Sequence, residues 1–145
     1  MSACDQQRTK ARIQCVEEHV RQENLHDLQG VMRTLGDSPH YDVEPLGDHY
    51  VGTEAVQGYY ADLLRILPDL RIDIKKRHVA ADSVVLELVV SGTHSSTWQG
   101  IAPTGRRLEL PLCAIFTFDA GDKIAGEKIY YDVYSVLIQM GVVRH

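Results

Sequence analysis

The order of patterned segments predicts an α+β fold in which helices pack on one face of a curved antiparallel sheet. Two observations carry it. Apolar residues recur at helical spacing in three segments before Pro68, and almost everything after Pro68 is alternating or β-branched runs separated by turn residues. Helices followed by a meander of strands place the helices together on one side of the sheet. At 145 residues, 44% hydrophobic and 24% charged, the chain reads as one globular domain that needs neither disulfides nor metals to bury a core.

The first helix presents Ile13, Val16 and Val20 as a stripe and ends near Asn24. Asp27 suits the N-cap of a second, short helix carrying Leu28, Val31, Met32 and Leu35, with Gly36 as its terminator. His40 to Glu44 then reads as an extended piece between Pro39 and Pro45, an edge strand or a strand start. A third helix begins at Thr53, whose hydroxyl can cap, and offers Val56, Tyr59, Tyr60, Leu63, Leu64 and Leu67 before Pro68 stops it. Four strands follow: from Leu70, from Ser83 to His94, from Arg106 to Phe118, and from Lys123 to Asp132. Gly105 supplies the positive φ of a tight turn after Pro103 and Thr104, and a last helix runs from Val133 to Met140.

A formal charge of −5, with only Lys75-Lys76-Arg77 and Arg106-Arg107 as basic clusters, argues against a nucleic-acid surface. The first residues lack an apolar signal core and no apolar run reaches membrane length, so a cytoplasmic protein without membrane contact is expected. Cys4, Cys15 and Cys113 are scattered and odd in number, which predicts reduced thiols. His40, His49, His78 and His94 show no ligand spacing, so no metal is expected.

Strand parity selects candidate site residues. Leu70, Ile72 and Ile74 share a face with His78, which leans inward unless a bulge intervenes. Glu87, set between Val84-Val85-Leu86 and Leu88-Val89-Val90, faces solvent, a dimer partner or a donor in the cavity. Both parities of that strand are apolar, which predicts a homodimer through the outer face of the sheet. Trp98 is either a lid over a cavity or part of a dimer contact. Asp132 shares parity with Lys128 and Tyr130 and suits the N-cap of the last helix.

Gly92-Thr93-His94, then Gly100 to Arg106 with Pro103-Thr104-Gly105, then an apolar strand, Tyr130-Tyr131-Asp132, and finally Gln139-Met140-Gly141 form a combination. From Val16 onward the chain thereby resembles the SnoaL-like polyketide cyclases, of the nuclear transport factor 2-like, ketosteroid-isomerase-like or cystatin-like fold. The resemblance implies a cone with a deep apolar cavity. It implies that Asp132 is the acid/base, with His94 beside the pocket as a catalytic candidate; a histidine assisting Asp132 would be His94, His78 or His40, and no cofactor is called for. Around such a cavity, His40, Tyr41, Tyr59, His78, Glu87, Trp98, Phe116 and Tyr130 are the candidate substrate-binding residues. One departure stands out: cyclases that close aromatic rings carry a histidine on the strand before the Asp, and Arg106 to Phe118 has none. Two functions follow. One is a cofactor-free acid/base enzyme acting on a small apolar carbonyl compound by aldol-type cyclization or isomerization. The other is a non-catalytic ligand-binding or dimerisation module of the same fold.

Overall fold

The computed structural model of the protein describes residues 2–144. Helix α1 spans Ala3–Asn24 and starts in a capping box, in which the Ser2 hydroxyl accepts the Asp5 N–H and the Asp5 carboxylate accepts the Ser2 N–H. Its inward stripe carries Val16 and Val20 and also His19 and Glu23, all buried.

Helix α2, Leu28–Arg33, is capped by Asp27, which accepts the Gly30 N–H at 2.9 Å. It stops one turn short of the expected end. The Thr34 hydroxyl turns back to donate to the Val31 carbonyl, and the Thr34 carbonyl accepts the Ile124 N–H, so Leu35 already pairs in the sheet. Gly36 therefore terminates nothing; it lies where a Cβ would collide with the Asp119 carboxylate.

Strand β1, Leu35–Val43, begins the sheet. Pro39 sits where its register against the neighbouring strand shifts, the place where a missing N–H is tolerated. A short 3-10 turn, Glu44–Leu46, contains Pro45 and leads through Gly47 at φ 70° into β2, Asp48–Val51. Helix α3, Thr53–Ile66, is capped by Gly52 rather than by the Thr53 side chain. The remaining strands are β3 (Arg71–Val79), β4 (Ser83–Thr93), β5 (Arg107–Phe118) and β6 (Ile124–Tyr131), followed by α4, Val133–Gln139.

Six strands form one curved, unclosed sheet in the order β2-β1-β6-β5-β4-β3. Every neighbouring pair is antiparallel except β1 and β6, which run parallel and are separated in the chain by α3 and four strands. The concave face carries Tyr41, Val43, Leu86, Phe116 and Ile129, which pack with Val16, Val20, Val31, Val56 and Tyr60 of the helices. Among the described residues, no helix is long and apolar enough to cross a membrane.

Candidate active site

Between the concave sheet and the helices lies a cavity of about 280 Å³. Its wall is apolar and aromatic: Tyr41, Tyr59, Phe116 and Trp98, with Leu88, Leu108, Leu112, Ile129, Val136 and Met140. Asp62, Arg65, Thr97 and Gln99 line it while remaining exposed, which puts its opening between α3 and the loop after β4. Trp98 and Ile101 exchange backbone hydrogen bonds across Gln99 and Gly100, both at positive φ, so a two-residue hairpin turn presents the indole to the cavity.

The floor is polar. Glu23 of α1 and Glu127 of β6 both line the cavity, and the fully buried His19 lies between them, with its Nε2 3.1 Å from Glu23 and 3.3 Å from Glu127. Tyr60 of α3 donates its hydroxyl hydrogen to Glu127 at 2.8 Å and stands 3.2 Å from the same His19 nitrogen. The other ring nitrogen is 2.8 Å from the Thr34 hydroxyl. That hydroxyl already spends its hydrogen on the Val31 carbonyl, so His19 Nδ1 donates to it. Nε2 faces only acceptors and must donate as well. The network thus assigns His19 as an imidazolium held by two carboxylates.

The electrostatics agree. Burial pulls His19 toward the neutral form, but the charge of Glu23 and the hydrogen bonds to both carboxylates outweigh it and raise its pKa to about 10. Burial pushes the Glu23 carboxyl above the usual range, against the opposing charge of His19. Tyr41, Tyr59 and Tyr60 are driven well above the ordinary phenol value, first by burial and for each also by the charge of Glu127. They are hydrogen-bond donors at any physiological pH. Tyr59 and Tyr41 stack with ring centroids 4.1 Å apart and hydroxyls 3.3 Å apart. Two hydroxyls bonded to each other hold one hydrogen more than the pair uses.

Of the residues expected to bind substrate, Tyr41, Tyr59, Trp98 and Phe116 meet at this cavity. The others do not. A register shift between Ile74 and Lys76 turns His78 to the outer face, where it meets the exposed Glu87 at 2.6 Å, so neither enters the pocket. His40 faces outward over Gly126, which has no Cβ to obstruct the ring. Tyr130 is 45% exposed, since the inward parity of β6 belongs to Glu127, Ile129 and Tyr131. Asp132 follows the outer parity: it is exposed, caps α4 by accepting the Tyr134 N–H at 3.0 Å, and lines no part of the cavity. His94 is fully buried but outside the lining. Its Nδ1 accepts the Thr104 N–H at 3.2 Å, and its backbone bonds to Gly105 and Arg106 close the same hairpin. Gly105 there has φ 69°, as its turn requires.

The floor was not anticipated, although the sequence holds two signals for it. His19 and Glu23 fall three residues beyond Val16 and Val20, extending the apolar stripe with ionisable groups. Glu127 shares parity with Ile129 and Tyr131, the more apolar of the two faces of its strand.

The family model described as SnoaL-like polyketide cyclase matches residues 13–140. No curated protein matches the chain. AclR from Streptomyces galilaeus is similar in structure with a TM-score of 0.80 at 23% identity, over 94% of this chain and 85% of that one. A protein of Catenulispora acidiphila with a ketosteroid isomerase-like fold, solved with trimethylamine, gives 0.74 at 20% identity, over 89% and 93% of the two chains. SalBIII, an epoxide hydrolase/cyclase-like enzyme in pyran ring formation of the polyether salinomycin, gives 0.73 at 18% identity, covering 87% and 94%.

Proposed function

The chain belongs to the SnoaL-like polyketide cyclase family, and from that premise we propose that it is an acid/base enzyme whose own side chains cyclize or isomerize a small apolar carbonyl compound. The observation that carries the reading is the pair of carboxylates, Glu23 and Glu127, lining the floor of an apolar cavity around one buried imidazolium.

In the proposed reaction Glu127 takes a proton from the carbon beside a carbonyl group, and the electron pair moves onto the carbonyl oxygen as an enolate. The spare hydrogen of the Tyr41 and Tyr59 hydroxyl pair is donated to that oxygen. In a cyclization the enolate carbon then attacks a second carbonyl of the same molecule, and the resulting alkoxide takes from Glu127 the proton that Glu127 removed, so one carboxyl serves as base and then as acid. In an isomerization the proton returns to another carbon instead. His19 does not touch substrate in this scheme; its charge keeps two acidic groups together in a site with little water.

The test is exchange of α-hydrogens for deuterium in small cyclic and β-keto carbonyl compounds. The protein is expected to accelerate exchange over buffer. A panel without any acceleration would favour the second reading, ligand binding without turnover, for which the placement of Asp132 outside the cavity speaks.

A homodimer through the outer face of the sheet is part of the proposal. Val85, Val89, Cys113 and Ile115 are half-buried there with the exposed Tyr130 beside them, and the His78–Glu87 pair lies among them. Sedimentation at micromolar concentration is expected to give the dimer mass, and a monomer would contradict it.

A further inference from the structure

Asp48 lines the cavity, and its carboxylate makes no hydrogen bond or ion pair with any described side chain. The other carboxylate at the opening, Asp62, is answered by Arg65 at 3.1 Å, and Arg65 also donates to Ser96. Among the described residues that line the cavity, no cation is left over for Asp48, and the glutamates of the floor have His19 to themselves.

The strands place aromatic rings beside this carboxylate. Asp48 pairs with Val43, which pairs in turn with Ile129, so Tyr131 follows two residues later on the same face. Tyr50, two residues from Asp48 and also inward, pairs with Tyr41 and has its ring 5.1 Å from that of Tyr59. Burial first, and then the charge of Asp48, push the Tyr131 hydroxyl up to about 12 and act on Tyr50 in the same direction, and all three residues line the cavity. Neither hydroxyl bonds to a described side chain or carbonyl. A half-buried carboxylate sharing a cavity wall with tyrosine rings repels anions and offsets the desolvation of an organic cation, whose charge is attracted to carboxylate and π-face alike.

We propose that Asp48, Tyr50 and Tyr131 form a subsite for an ammonium group at the cavity mouth, so that the ligand is an apolar carbonyl compound with a protonated or quaternary amine at its outer end. The inference rests on the cavity being a ligand site, and it adds the charge of the ligand. It orients the molecule: the amine stays at the opening, and the carbonyl end reaches Glu127.

A matched pair of probes tests it: 4-(trimethylammonio)acetophenone and its neutral isostere 4-tert-butylacetophenone, with binding followed by calorimetry and by fluorescence of the single tryptophan, Trp98. The cation is expected to bind about tenfold more tightly than the isostere at low salt. That margin should vanish in Asp48→Asn and in Asp48→Ser, with the affinity for the neutral probe unchanged. Equal affinities in the unmodified protein, or a margin that survives both substitutions, would overturn the subsite while the cavity reading stands. If neither probe binds to protein of native circular dichroism, the cavity reading fails and the subsite with it.

Discussion

The molecule contains two histidine–glutamate groupings that differ only in where the sheet puts them. His19 is enclosed, with Glu23 and Glu127 at 3.1 and 3.3 Å, whereas His78 meets Glu87 at 2.6 Å on the outer face with roughly half of each side chain in water. The shorter contact is the weaker one in consequence. In solvent the pair exchanges protein partners for water at little net gain, while in the floor each charge depends on the others, since removing one strands the rest. Contact distance does not rank electrostatic groups, because burial sets what each contact is worth.

The largest expected effect follows from this. His19→Leu leaves two buried carboxylates facing each other and should destabilise the fold by about 3 to 5 kcal/mol, seen as a shifted urea midpoint. His78→Leu should leave the midpoint where it was. Equal effects at the two positions would break the comparison.

A smaller effect is the dependence on pH, which should have opposite signs in the two places. His19 titrates at about 10 in the fold against about 6.5 when exposed, so its contribution is complete below 6.5 and fades as the pH rises toward 10. Glu23, also raised by the fold, acts in the same direction. The outer pair works the other way: the hydrogen bond from His78 lowers Glu87, whose slight contribution is lost as the pH falls. Stability should therefore decline between pH 6.5 and 10, and in His19→Leu the decline should begin at lower pH, where two buried carboxylates without a cation must ionise. A slope unaltered by that substitution would mean that His19 is neutral in the fold.

The same contrast explains what could be read from the residues alone. Helical stripes, the Asp27 cap, the four late strands and the turn at Gly105 are local, and each follows from spacing within a few residues. Strand β2 is only Asp48 to Val51, too short for a pattern, and the parallel pairing of β1 with β6 joins segments about ninety positions apart in a chain of 145. The irregularity after Ile74 defeated the parity that put His78 inward, because one extra residue reverses every side chain beyond it. The floor needed three such distant facts at once: the inward stripe of α1, the parity of β6 and the approach of Tyr60 from α3. Asp132, by contrast, was legible by position, and its own parity with Lys128 already pointed away from the cavity.

The most direct test compares one carboxylate from each environment. Deuterium uptake into a cyclic β-keto compound that the protein turns over is measured for Glu127→Gln and Asp132→Asn, both checked by circular dichroism. The account predicts that Glu127→Gln slows exchange by roughly 10²- to 10⁴-fold, the usual share of a general base, and that Asp132→Asn, which keeps a good helix cap, exchanges at the rate of the unmodified protein. Full exchange in Glu127→Gln together with its loss in Asp132→Asn would contradict the account and move the chemistry to the outside end of β6.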